Sequence, residues 1–382
     1  MRILIIHNQL WAHYKSRLFS EIYSSLKEKY PESAFLVVQI ALYEASRSAM
    51  QSDESIVYDY PYQVLFSRSL DSVRFPERLK SLFKAFHTYK PTVLNITGYF
   101  DWAQVLLMFY ARMRGVKVVL SSESSSADHN RSALKERLKR FIVNRANAFF
   151  CFGKTSAQYL ESLGVNPATI LVRNAAVIDE EIIRTRYDLA KKQFGNEHLI
   201  RKFIFTGRLA PEKNLSLLIR AFYNVQHTDS GSWQLLLVGD GPERDLLENL
   251  TRSLNLADKV TFAGGFPWYK VPEWLAKSDV LVLPSKSEPW GLVVNEAMTC
   301  GMPVLVSDKC GCAADLVEPG KNGLTFDPEN QSALEEAMRF FMQNPDRIVP
   351  MGNESMKMIA PFSSKHVASR MADCYKSLSR KG

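Results

Sequence analysis

Several things this chain has little of narrow its function first. Its five cysteines, an odd number at irregular spacing, argue against a disulfide framework and for a reducing compartment. Long apolar runs are absent: the longest stretch, Ala103 to Ala111, falls well short of the ~20 residues a membrane span needs. The opening residues Met1-Arg2-Ile3-Leu4-Ile5-Ile6-His7 read as a strand and lack the cleavage site of a secretory signal, so a cytoplasmic protein is expected. No Asp-x-Asp occurs, the seven histidines are scattered, and Cys310-Gly311-Cys312 has no second Cys/His pair, so no metal site is expected. Gly-x-Ser-x-Gly and catalytic-cysteine signatures are missing as well. Gly153-Lys154-Thr155 follows a strand as a P-loop does, but Ala148 stands where its first glycine belongs. Thr155 or Ser156 capping the next helix explains it better.

What is present is an ordinary globular composition, 46% hydrophobic and 23% charged, over a length that suits two domains. The net charge of +8 is unevenly spread: residues 1–173 carry 23 Lys/Arg against 14 Asp/Glu, whereas 174–382 carry 25 against 26. Part of the excess clusters between Arg131 and Arg145, with Lys135, Arg137, Lys139 and Arg140 close together. A solvated helix face accounts for this as well as contact with an anionic partner does, such as a membrane surface or a lipid-diphosphate acceptor. No nucleic-acid-binding motif accompanies it.

Short apolar strands alternate with amphipathic helices through both halves, which predicts α/β domains with doubly wound parallel sheets. Strands are predicted at Ile3–His7, Phe35–Ile40, Val93–Ile96, Val116–Leu120, Ala148–Phe152 and Ile170–Val172. A second set follows at Phe203–Thr206, Gln234–Val238, Val260–Phe262, Val280–Leu283, Pro303–Val306 and Leu324–Phe326. The polar stretch Asn174–Asn196 reads as the approach to a junction. The expected domains are therefore 1–175 and 176–363, with a closing helix at about 364–382 that packs back on the first.

Ligands of such sheets sit at the carboxyl ends of the strands, and the motifs fall there. In Leu281–Pro303 a buried strand gives way to a polar loop and a helix beginning near Gly291. The unpartnered N–H groups of that helix favour an anion, Gly291 permits close approach, and Glu288 and Glu296 offer carboxylates for hydroxyls. Gly207-Arg208 with Lys213 five residues later can place a forked and a mobile cation on one phosphate pair. Val238-Gly239-Asp240-Gly241-Pro242 lacks the third glycine of a dinucleotide fingerprint and reads as a tight turn beside the same edge.

These segments, in this order, together with Val172-Arg173-Asn174-Ala175-Ala176 and Cys310-GCAADLVEPGKNGLTFDP, resemble the family-4 glycosyltransferases. The resemblance covers most of residues 150–330. It implies a GT-B fold, two Rossmann-like domains facing each other across a cleft, and a retaining enzyme that uses a nucleotide-sugar without a metal or other cofactor. Carried onto this sequence, Glu288 hydrogen-bonds the donor sugar, and backbone N–H groups around Trp290, Gly291 and Leu292 meet the phosphates. Glu296 holds the ribose, while Arg208 and Lys213 bind the diphosphate and stabilise the departing nucleotide. Gly207, Gly239 and the Gly264-Gly265-Phe266 loop border the donor. Attack from the front face, assisted by a donor phosphate oxygen, gives retention.

The N-terminal half departs from the pattern. His7-Asn8-Gln9-Leu10-Trp11 replaces a glycine-rich turn, and Glu123 stands where the family often has a sugar-contacting histidine. Trp11, Tyr14, Asp128 and His129 are the acceptor-side candidates. The implied donor is a UDP-sugar, with a GDP-sugar as the alternative. The implied acceptor is a hydroxyl of a glycan, lipid-linked or small-molecule acceptor, as in bacterial surface-polysaccharide assembly, with peripheral membrane contact through the basic half and no nucleic acid partner. A sugar phosphorylase of the same fold and a non-catalytic nucleotide-sugar-binding subunit are the competing readings.

Overall fold

The computed structural model describes residues 1–45, 58–123, 133–194, 200–228 and 233–380. They form two units, one from Met1–Asp179 with Pro361–Gly382 and the other from Glu180–Ala360. The first is built on seven parallel strands: β1 (Arg2–Gln9), β2 (Ala34–Tyr43), β3 (Tyr62–Ser69), β4 (Val93–Thr97), β5 (Lys117–Ser122), β6 (Ala148–Cys151) and β7 (Ile170–Val172). They lie in the order β3-β2-β1-β4-β5-β6-β7. The second has six: β8 (Arg201–Thr206), β9 (Trp233–Val238), β10 (Val260–Gly264), β11 (Val280–Leu283), β12 (Val304–Ser307) and β13 (Gly323–Phe326), in the order β10-β9-β8-β11-β12-β13. Each sheet reverses its winding once, between β1 and β4 and between β8 and β11.

Central strands covered by helices on both faces need apolar side chains in both directions, which is why Ile3, Leu4, Ile5 and Ile6 are all fully buried. Each such side chain contributes roughly 1.5–3 kcal/mol. The apolar-run criterion finds twelve of the thirteen strands and misses β3. That strand lies at the sheet edge and is half-exposed along its length, so its sequence, Tyr-Gln-Val-Leu-Phe-Ser-Arg-Ser, carries little of the signal.

Two helices also depart from the sequence reading. Asn174–Asn196 is not merely a polar approach: Glu180–Phe194 is helical, with Ile183 and Ala190 on a narrow buried stripe. Ile348–Ile359 is helical despite Pro350 and Gly352. Pro350 sits in the first turn, where its missing N–H has no intrahelical partner to lose. At Gly352 the helix lies so close to Gly301 that a Cβ would stand 1.9 Å from the Gly301 carbonyl oxygen. Neither Thr155 nor Ser156 caps the helix Lys154–Ser162. Its N-cap is Gly153, and the Ser156 hydroxyl donates instead to the Ser122 carbonyl at 3.0 Å.

The closing helix Ser364–Arg380 packs on the helix His13–Lys29 of the first unit. Lys29 reaches Asp373 at 2.9 Å, and the fully buried Tyr375 hydroxyl accepts from Asn95 Nδ2 on β4 at 2.7 Å. Tyr375→Phe should leave that buried amide donor unsatisfied. We expect a loss of about 1–3 kcal/mol in urea unfolding, with the fold retained by circular dichroism.

Candidate active site

β8 and β11 lie side by side where the second sheet reverses its winding, so the crevice outside their carboxyl ends is the natural ligand position. The loop after β8 starts at Gly207 and turns through Pro211–Lys213. The loop after β9 is laced onto it: the Leu209 N–H donates to the Asp240 carbonyl at 2.9 Å and the Glu243 N–H to the Leu209 carbonyl at 3.0 Å. Gly239 in turn donates to the Gly264 carbonyl at 2.8 Å. The glycines are there for close approach. A Cβ on Gly239 would stand 1.8 Å from the Gly207 carbonyl oxygen, and one on Gly241 2.4 Å from that of Leu209. Gly265 is under no such constraint, its nearest neighbour being Asp240 Cβ at 3.5 Å. Phe266, beside it, is exposed and its ring lies 5.0 Å from Trp274.

The loop after β11 is pinned on two sides. Lys286 N–H donates to the Glu212 carbonyl at 2.8 Å, while the Glu288 and Trp290 carbonyls accept from Gly311 and Cys312 at 2.9 and 3.1 Å. Trp290 is buried with its indole N–H on Asn295 Oδ1 at 2.9 Å, so it anchors the loop. Gly291 then turns the chain with φ 99°, and the helix Leu292–Thr299 begins without a side-chain cap. Its first N–H groups lie beside Glu288, and Leu292 is half-buried.

Two ion pairs stand in these loops. Lys213 Nζ and the Glu288 carboxylate form an ion pair, both largely shielded from solvent. Arg208 is 64% exposed and pairs with Glu212 at 2.6 Å, which holds the Glu212 carboxyl below its ordinary range. Glu296, half-buried on the helix, has its carboxyl pushed up to about 8 by burial, so it keeps its proton through neutral pH. Among the described residues no group of three or more His, Cys, Asp or Glu is arranged to hold a metal.

The first unit carries its own ion pair. Glu123, just beyond β5, meets Lys15 Nζ at 2.7 Å. Lys15 is buried in the helix His13–Lys29, with its ammonium 4.7 Å from the centre of the Phe152 ring and 5.4 Å from that of Tyr14. The small cavity beside Lys15, about 20 Å³, has room for a water and not for a sugar. His7 is buried on Gln39, and its pKa is lowered to about 4 by burial and by Lys15. Trp11 is half-buried and stacks on Tyr43, with ring centres 4.6 Å apart. Asp128 and His129 lie outside the described residues.

Sequence reasoning passed over Lys15 and Glu212. Lys15 was detectable, because it continues the inward stripe of Leu18, Phe19, Ile22 and Leu26, where a cation needs a partner.

Two outcomes test this geometry. Gly239→Ala should force the β8 and β9 loops apart and destabilise the protein by about 2 kcal/mol or more, read by chemical denaturation. Because the Glu296 pKa is raised on folding, the folded state holds a proton that the unfolded chain has lost between its ordinary range and about pH 8. Stability contributed at this site therefore falls as pH rises through that window. Glu296→Gln should match the wild type in melting temperature at about pH 4 and exceed it by a few degrees at about pH 8.

Residues 188–358 match the Glycosyl transferases group 1 model. Over 203 residues the chain is 29% identical to a D-inositol 3-phosphate glycosyltransferase of Rhodococcus opacus, covering 50% of this chain and 45% of that protein. Over 199 residues it is 28% identical to a GDP-mannose-dependent alpha-(1-6)-phosphatidylinositol monomannoside mannosyltransferase of Mycobacterium tuberculosis, covering 50% and 49%. The chain thus spans about half the length of these curated relatives. The structure of Anabaena HepE in complex with UDP superposes with a TM-score of 0.74 at 20% identity, over 99% of this chain and 100% of that one. The fold is therefore GT-B, and residues 188–358 are similar to the glycosyl transferases group 1 domain.

Proposed function

We propose that the protein is a retaining glycosyltransferase that moves a sugar from a nucleotide-sugar, with UDP favoured over GDP, to a hydroxyl of a glycan, lipid-linked or small-molecule acceptor. The observation that carries this reading is the Lys213–Glu288 pair at the crevice of the second sheet, flanked by Arg208 and by the uncapped start of the helix Leu292–Thr299.

In the ligand-free protein Lys213 and Glu288 neutralise each other. A donor diphosphate entering the crevice competes for Lys213, and the freed Glu288 carboxylate turns to accept hydrogen bonds from the sugar hydroxyls. Arg208, already exposed, forks onto the phosphate oxygens at the cost of its weak surface pair with Glu212. The helix N–H groups supply the remaining donors. As the glycosidic bond breaks, these fixed cations and dipoles stabilise charge on the leaving nucleoside diphosphate, the role a divalent ion plays elsewhere, so no metal is required. Glu296, protonated at neutral pH, can both donate to and accept from the ribose hydroxyls. Trp11 and Tyr14 contribute on the acceptor side, and Glu123 takes the catalytic position where the family often has a histidine that contacts the donor sugar. UDP is preferred because the superposed HepE was solved with it; the GDP-mannose-dependent relative keeps GDP as the alternative. Assembly of surface polysaccharide is the pathway that fits such an acceptor.

Thermal-shift titration with UDP, GDP, ADP and inorganic phosphate, with and without EDTA, tests the donor. Stabilisation by one nucleoside diphosphate, unchanged by EDTA, is expected. A response to phosphate alone would replace the transferase with a phosphorylase, and silence across the panel would favour a non-catalytic role. Glu288→Ala should reduce transfer by roughly 10³-fold or more while sparing nucleotide affinity, whereas Arg208→Ala should weaken both. Proton NMR of the product should show the anomeric configuration of the donor retained.

A further inference from the structure

The helix Trp102–Met113, WAQVLLMFYARM, contains no acidic residue and is apolar on nearly every side. A helix of that kind is normally enclosed all round. Here one side is enclosed: Ala103, Val105, Leu107, Met108 and Ala111 are buried in the core of the first unit. The other side presents Trp102, Leu106 and Met113 at 51%, 43% and 78% exposure, with half-buried Phe109 between them. Their spacing, i, i+4, i+7 and i+11, makes one continuous stripe.

The neighbouring helix Ala133–Val143 extends that surface. Phe141 stacks on Phe109 at 5.6 Å and is itself 51% exposed, as is Leu138 at 43%. Exposed cations rim the apolar area: Arg112 and Arg114 at the end of the first helix, Lys135, Arg137 and Arg140 on the second, and Arg145 with its guanidinium 4.7 Å from the Phe141 ring centre. Residues 102–145 hold nine Lys/Arg against three Asp/Glu.

We propose that this face is a membrane-docking surface, on which the stripe inserts into the headgroup boundary of an anionic lipid leaflet while the cations meet the lipid phosphates. At 12 residues the helix is about 18 Å long and cannot span a bilayer, and no described helix is long and apolar enough to do so. It lies in the plane of the interface. The charge rim selects the occupant: a second copy of this chain would bring like charge against like, whereas an anionic leaflet is complementary both to the cations and to the apolar side chains. A transferase held this way would take acceptors at the membrane surface. The docking itself does not depend on the transferase reading, since its test needs no turnover.

Flotation with vesicles of phosphatidylcholine alone, and of phosphatidylcholine mixed with phosphatidylglycerol, tests it on the whole chain. The wild type should float with the mixed vesicles, and salt should weaken the association. The double variant Leu106→Gln, Met113→Gln, at two exposed positions, should lower binding by at least about tenfold with an unchanged melting temperature. Arg137→Gln with Arg140→Gln should lower it on mixed vesicles. Tryptophan emission should shift to the blue on binding, and Trp102→Phe should reduce that shift. A wild type that stays with the soluble fraction, variants that bind undiminished, or a concentration-dependent dimer abolished by the Leu106/Met113 variant would each overturn the proposal.

Discussion

The candidate site depends on how closely two backbones cross. The Gly207 carbonyl occupies the space that any side chain at residue 239 would need, and the Leu209 carbonyl does the same at residue 241. Main-chain hydrogen bonds thereby fasten the loops after β8, β9 and β10 to one another. Others tie the loop after β11 to the turn after β8 and to the segment after β12. With the rim held by its backbone, the Lys213–Glu288 and Arg208–Glu212 pairs are additions to that scaffold rather than its sole fastening. Loops held by their own side chains would have to break that scaffold whenever a ligand entered.

The two units apply one electrostatic device with opposite emphasis. In each, a lysine that follows the first strand pairs with a glutamate that follows a later one: Lys15 with Glu123, and Lys213 with Glu288. Lys15 is buried against Phe152, while Glu123 is 44% exposed, so the pair holds the carboxylate from its buried side. Removing Glu123 would take from the buried Lys15 ammonium its carboxylate partner, at a cost that the exposure of Glu123 keeps below that of a fully buried pair. Lys213 and Glu288 are shielded about equally, at 17% and 18% exposure.

The architecture was legible because buried parallel strands must be apolar on both faces, and twelve of them read as plain apolar runs. The edge strand β3 escaped because half of it faces outward. The helix Glu180–Phe194 escaped because only a narrow stripe of it is buried, and Ile348–Ile359 because a proline harmless in a first turn looks like a stop. Around the site, strand-end glycines and cations could be listed from spacing alone. Long-range pairing could not. Arg208 and Glu212, four residues apart, form a local pair, whereas that Lys213 meets Glu288 across 75 positions is a fact of tertiary geometry. The burial that raises Glu296 is of the same kind, since hydropathy around a single carboxyl does not reveal how much water reaches it.

The basic cluster near Arg131–Arg145 was equally open to a solvated and a functional reading, and charge alone could not decide between them. What decides is the helix beside it. Cations on a fully polar surface need no partner, because water satisfies them. Here Arg112 and Arg114 flank Met113 and Arg145 lies against the Phe141 ring, so cations border side chains that water does not satisfy. A scattered exposed leucine is unremarkable, but a stripe at helical spacing on a helix without acidic residues keeps the same side apolar along its whole length. The proposed docking to an anionic lipid surface rests on the two features together and on neither alone.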